Sequence, residues 1–394
     1  MAYYLLNKAL GNLTLLRSAD IPKPGRIRMN YCLAMGGGTF LVLAALGITS
    51  YSNAATPSIS SISGPLSMNS SLTVSGSNFG SHNLQVEWTG SNIESGTVGT
   101  DFSKSRWFND EGWANTKYAS DASHSGSKSL KCIVDGTTNY NCEFGYQLTS
   151  PVLANQTLYV TWWVRKDSQD NTGQWKMLRA SGIRTIVDGP QELVLFNWNP
   201  INGGGAKQIV VDPGQSNDQT FWPQDAVFAW GDNKWYRQEL LIRTSSIGAR
   251  NGSATLSRYD GTSLSSYNTG NILTSVTSSY AYNYVIFQNY NGNGMTGSSI
   301  WFDDIYVQTT PARVELCNAS TWASRTQCEI QVPTSWTNTV ITFSGNRGSF
   351  KDGTAYLYVV EQSGSFNING YPVSITTGGG ATAPPPAPAN LRVQ

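Results

Sequence analysis

From about residue 57 onward the chain runs in short alternations of apolar and polar residues, broken by clusters of Gly, Ser, Asn and Asp. Successive side chains of a strand point to opposite faces. In 157–164 this sorting puts Leu158, Val160, Trp162 and Val164 on one face, and Tyr159, Thr161, Trp163 and, just beyond, Arg165 on the other. The first set must face a core. Similar runs at 71–80, 129–134, 191–196, 235–243, 282–288, 313–317, 328–332, 340–343, 354–360 and 371–375 predict further strands. Turn-forming residues separate them and no 3.6-residue period is sustained, so the fold expected is all-β, built of sandwiches rather than helices.

The strands fall into two groups. Pro57-Ser-Ile-Ser-Ser-Ile62 and Val74-Ser-Gly-Ser-Asn-Phe-Gly80 resemble the opening of an IPT/TIG immunoglobulin-like domain, and the strands of 312–376 resemble its second half. An immunoglobulin-like sandwich needs about seven strands, so 56–90 and 312–376 are expected to form one domain split by an insert at 91–311. The insert resembles concanavalin-A-like lectin and glucanase jelly rolls, including their polysaccharide-lyase branch. The fold class expected is therefore a concanavalin-A-like jelly-roll sandwich plus a smaller immunoglobulin-like sandwich. Residues 377–394, rich in Gly and then Pro, read as a flexible-then-stiff tail.

Composition supports the strand reading and narrows the chemistry. Of 394 residues 13% are charged and only two are histidine, which excludes sites built on several histidines. Residues 1–55 hold five basic residues against one acidic, leaving the remainder slightly acidic and without a Lys/Arg cluster, so no nucleic-acid partner is expected. The basic start, the apolar stretch 40–48 and Ser52-Asn-Ala-Ala55 make a secretory signal over 1–55, with no membrane span after cleavage and a secreted or cell-surface location. Four cysteines then remain, Cys132, Cys142, Cys317 and Cys328, and three connectivities are possible. The pairs close in sequence, 132–142 and 317–328, are expected to staple two hairpins.

The face carrying Tyr159, Trp163 and Arg165 offers an aromatic plate beside a guanidinium, suited to a sugar ring that bears a carboxylate. Lys176, Asn197, Trp198, Arg237 and Gln288 are expected to complete or border a ligand site, with the loop tryptophans Trp222 and Trp230 as further aromatics. The lyase resemblance rests on Arg237-Gln-Glu-Leu240, on Gln174-Trp-Lys176 with lysine where that branch has histidine, and loosely on 284–290. It implies Arg237 as carboxylate neutraliser and Lys176, Tyr284 or Tyr290 as the proton-transferring group. No Glu-x-Asp-x-x-Glu hydrolase signature occurs. Glu94, Asp303 and Asp304, at the two ends of the insert, suggest a structural calcium ion. The function expected is non-catalytic binding of an extracellular polysaccharide, an acidic one included. Elimination of a uronate glycan and a purely structural surface module are the alternatives.

Overall fold

The computed structural model describes residues 56–82, 86–109, 116–134, 142–167, 174–184, 192–198, 206–213, 219–223, 233–291 and 298–376. The segment 1–55 expected to be a secretory signal, the tail 377–394 and Trp230 lie outside them. Ala54–Gln394 forms one compact unit. No helix of the described residues is long and apolar enough to cross a membrane.

The smaller sandwich is made from both ends of the chain. Its strands are β1 (Ser58–Ile62), β2 (Ser71–Ser77), β18 (Arg313–Cys317), β19 (Cys328–Trp336), β20 (Val340–Ser344), β21 (Gly353–Val360) and β22 (Tyr371–Ile375). They run antiparallel in the order β1-β2-β20-β19-β18-β21-β22. Alternation explains the pairing: Leu72 stands opposite Phe343 and Val74 opposite Ile341, and all four are buried in one core with Val314, Leu316, Leu357 and Val373. The start of β19 pairs with β18 and its end with β20, with a register shift between Pro333 and Ser335. That shift falls where proline, lacking an N–H, is tolerated within a sheet.

The larger body is a two-sheet jelly roll. One sheet has seven strands, in the order β12 (Gln219–Phe221), β11 (Ala206–Asp212), β10 (Glu192–Trp198), β9 (Gln174–Ser181), β16 (Tyr282–Asn291), β7 (Glu143–Val152) and β4 (Trp107–Asn109). The other has eight: β15 (Leu264–Asn268), β14 (Ser253–Tyr259), β13 (Trp235–Arg243), β8 (Thr157–Lys166), β17 (Ser298–Gln308), β6 (Ser129–Val134) and β5 (Lys117–Ala119), with β3 (Val86–Trp88) also paired to β17. Leu158, Val160, Trp162 and Val164 point into the core between the sheets, as their spacing requires. Among the described residues the helical elements are a short α-helix, Gly90–Ser95, and one 3-10 turn, Trp322–Ser324. Strand β3 precedes residue 91 yet belongs to the jelly roll, so the chain leaves the smaller sandwich before residue 86.

Both close cysteine pairs are joined, with Cα–Cα separations of 5.6 Å for 132–142 and 4.1 Å for 317–328. Cys317 and Cys328 stand opposite each other on β18 and β19, a hairpin staple. Cys132–Cys142 differs from the expected hairpin. It links β6 of the eight-stranded sheet to the residue preceding β7 of the other, and so ties the two layers together across the core.

Because Leu72 and Leu357 come from opposite ends of the chain and share one core, truncating either to alanine is expected to lower unfolding free energy by about 2–5 kcal/mol. Denaturant unfolding measures this. An unmoved midpoint for Leu72→Ala would show that 58–77 is an appendage.

Candidate functional site

The outer face of the eight-stranded sheet, expected to present Tyr159, Trp163 and Arg237 to a ligand, is covered by β18 and β19. Tyr159 is 0% and Arg237 1% exposed. Tyr159 packs with Tyr306 and with Ile330 of β19. The Trp163 indole donates to Glu329 at 3.0 Å and stacks on His124 at 3.6 Å. These three side chains therefore join the two sandwiches and do not form a sugar platform. The alternation assigned them to the correct face, but a second domain occupies it.

Charge organises this junction. Glu315 of β18 accepts from Arg237 Nη2 at 2.7 Å and from Arg313 Nε at 2.8 Å, and lies 3.6 Å from Arg325 Nη1. Arg237 also donates to Thr161 Oγ1 and to the Cys328 carbonyl, and Tyr159 donates to Glu239 at 2.7 Å. Burial alone would push the Glu315 carboxyl upward, but Arg313, Arg237 and Arg325 hold it well below the usual carboxylate range. Beside this cluster His124 lies between Asp304, 2.9 Å from Nδ1, and Glu329, 3.4 Å from Nε2. Its side chain is only 3% exposed, the residue's remaining exposure being backbone. Burial disfavours the imidazolium, yet Glu329 and Asp304 outweigh it and raise the pKa to about 10.

The three acids considered for calcium are held by one loop. β17 carries a register shift between Asp303 and Tyr306, and Asp304 has φ of 46°. Phe302 and Ile305 thus both face the core while the two acids between them turn outward. Asp303 accepts from the His124, Ser125 and Asp304 amides, Asp304 from Ser125 Oγ and the His124 ring, and Glu94 from Ser127 and Lys128. Every carboxylate oxygen of the three has a donor, and His124 brings the positive charge. As arranged, these residues do not fit a calcium ion.

The outer face of the seven-stranded sheet has a different character. In register, Gln147, Tyr284, Ser181 and Glu192 form one row across β7, β16, β9 and β10, while Phe108, Gly145, Ile286, Arg179 and Val194 form the next, which also includes β4. Lys176 stands opposite Phe196 and Tyr290 further along, on the same face. Arg179 pairs with Glu192 at 3.1 Å, and Gln288 donates to Glu143 at 2.6 Å, all four residues being buried. Toward β4 the face opens. The Arg184 guanidinium, exposed, lies 4.4 Å from the Phe108 ring centroid, and Phe108 meets Tyr284 edge-on at 6.0 Å. Gly145 makes this possible, since a Cβ there would come within 2.5 Å of the Phe108 ring.

Of the expected site residues, this face gathers Lys176, Tyr284 and Gln288. The side chains of Asn197, Trp198 and Tyr290 lie outside the described part of the structure. Arg237 sits in the opposite sheet, with the hydrophobic core between it and Lys176, so the strands likened to the lyase signatures do not converge. Arg179, Glu192, Phe108 and Arg184 take their place. Alternation could have flagged Arg179 as an outward charge in a core-forming strand. Nothing in the sequence ties Phe108 to Arg184.

No protein-family model matches the chain, and no curated protein matches it. Among solved structures it is similar to a PL-14 alginate lyase from Aplysia kurodai, at 12% identity over 49% of this chain and 87% of that one, with a TM-score of 0.40. It is also similar to alginate lyase vAL-1 from a Chlorella virus, at 11% identity over 49% and 89%, TM-score 0.37. Peanut lectin gives 10% identity over 52% and 98%, TM-score 0.30.

Two outcomes are expected at the junction. Arg237→Ala takes a cation from buried Glu315 and from partly buried Glu239, and unfolding free energy should fall by about 3–5 kcal/mol. A loss below 1 kcal/mol by denaturant titration would mean that the cluster is not what joins the sandwiches. The His124 contribution is fully present below pH 6.5, where both folded and unfolded forms are protonated. Above it only the folded form keeps the proton, so stability falls by about 1.4 kcal/mol per pH unit until the ring deprotonates near 10. A His124→Gln variant should lack that slope in unfolding measured between pH 6.5 and 10.

Proposed function

We propose that the protein is a non-catalytic binder of an acidic extracellular polysaccharide, which it holds on the outer face of the seven-stranded sheet. The observation that carries this reading is the exposed Arg184 guanidinium over the Phe108 ring beside Tyr284, at the open end of a sheet face that also bears Lys176, Arg179 and Gln288. Aromatic rings accept the C–H face of a pyranose, and a guanidinium accepts a carboxylate in a bidentate fork. The corresponding face of the other sheet is filled by the smaller sandwich around Tyr159, Trp163 and Arg237, so those residues are not free for such contact. Two disulfides suit an oxidising compartment, in keeping with export directed by the N-terminal segment.

A second reading, β-elimination of a uronate, is favoured by one arrangement. Tyr284 is two residues from Ile286, the direct cross-strand partner of Arg179, so a phenol and a cation lie diagonally adjacent on one face. A tyrosine near a carboxylate neutraliser could remove the proton next to that carboxylate.

Titration calorimetry with oligogalacturonate, combined with ultraviolet detection of a C4–C5 double bond, separates the readings. Arg184→Ala and Tyr284→Ala are each expected to weaken binding about tenfold, equivalent to 1.4 kcal/mol, with no new absorbance. Steady growth of the double-bond signal, abolished by Tyr284→Phe, would establish the lyase instead. Affinity unchanged in both alanine variants would remove this face from the function.

A further inference from the structure

We propose a second acidic-glycan contact on the opposite side of the jelly roll, at the end of the eight-stranded sheet that the smaller sandwich leaves open. Lys117, Lys131, Trp301, Arg165 and Trp235 are direct cross-strand partners on β5, β6, β17, β8 and β13. Partners in register share a face, so the five side chains form one row of three cations and two indoles, alternating from Lys131 onward. Four strand spacings of about 4.8 Å make the row roughly 19 Å long, enough to lay several sugar rings across the strands.

The row is built, not merely exposed. Trp301 is 7% exposed and its indole N–H donates to Asp121 at 2.9 Å, which fixes the ring. Lys131 Nζ lies 4.6 Å and the Arg165 guanidinium carbon 5.2 Å from the Trp301 centroid, one cation on each neighbouring strand. Lys131 is paired with Asp121 at 2.6 Å and Lys117 with Asp101 at 3.3 Å. Arg165 has no carboxylate partner among the described residues: Nη2 bonds the Asn233 side chain and the buried Nε has no hydrogen-bond acceptor. Exposed Lys234 and half-buried Trp235 follow directly on from Asn233. A guanidinium with no carboxylate partner among the described residues, beside a partly exposed indole, fits an anionic group on a sugar ring, whether carboxylate or sulfate.

The strip stands on its own geometry and takes only its ligand class from the function proposed above. With both contacts, one molecule holds two glycan chains on opposite faces. The test is calorimetric titration of the full chain with a galacturonate tetrasaccharide, a sulfated galactose tetrasaccharide and a neutral glucose tetrasaccharide. Two acidic ligands per chain are expected. Arg165→Glu should weaken one of them more than tenfold while leaving thermal unfolding and the second ligand unchanged, Arg165→Lys should restore most of the loss, and Tyr284→Ala should remove only the other. Binding of the two acidic probes tells carboxylate from sulfate. One ligand per chain, lost in Tyr284→Ala and indifferent to Arg165→Glu, overturns the strip and leaves the first reading intact. One ligand per chain, lost in Arg165→Glu and indifferent to Tyr284→Ala, upholds the strip and removes the first. Equal binding of the neutral tetrasaccharide overturns the charge argument, and no heat with any probe overturns both contacts.

Discussion

The Glu315 carboxylate is the point on which the arrangement of the two sandwiches depends. It is fully buried and is reached by three guanidinium groups, Arg237 from the jelly roll and Arg313 and Arg325 from the smaller sandwich. Glu239 of the jelly roll adds a second carboxylate, so three cations face two anions. The excess is spread over aromatic faces: Arg313 lies over Tyr159, Arg237 over Tyr259, and Arg325 over Trp322. Taking these charges out of water is unfavourable unless every partner is in place. The junction is therefore specific more than it is adhesive, because a slipped or rotated docking would strand a buried charge.

Connectivity reinforces that geometry. The jelly roll is entered after β2 and left from β17, and only four residues separate Gln308 from Arg313 at the start of β18. Four residues span at most about 14 Å, so this exit limits how far the start of β18 can lie from the end of β17. The bulge at Asp303-Asp304 then turns two adjacent carboxylates toward His124, which also meets Glu329 of β19. The two sandwiches thus share a network made from both, and the imidazolium does the neutralising that a bound cation would do elsewhere.

Much of this was legible in the residues. Period-two alternation separated core from outward face correctly for 158–165, and the close cysteine pairs matched the disulfides. What could not be read was the occupancy of the outward faces. Tyr159, Trp163 and Arg237 look the same in sequence whether they meet a sugar or β19, since cations and aromatics serve both environments. Assignment of strands to sheets was equally hidden. Arg237-Gln-Glu-Leu240 and Gln174-Trp-Lys176 are separable local patterns, but only the strand order puts them on opposite sides of the core. The partnership of Phe108 with Arg184 depends on Gly145, a glycine that a linear reading treats as a turn or a bulge.

The distribution of polar groups decides what the remaining faces are for. A sheet face that merely caps a core gains nothing from buried arginine, lysine and glutamate, because each must find a partner to offset its lost hydration. On the eight-stranded sheet the junction with the smaller sandwich accounts for such groups as far as the row of Trp163 and Asp303. One row further, Arg165 and Trp301 have no domain over them among the described residues. On the seven-stranded sheet Arg179, Glu192, Glu143 and Gln288 are buried in polar pairs, with no second domain over them among the described residues, and the pairs lead to an open edge of Phe108, Tyr284 and Arg184. Fixed polar pairs hold the floor of that face while its edge stays accessible. Under the proposed function that combination would favour recognition, since a rigid platform loses little conformational freedom when a flexible, charged chain settles on it.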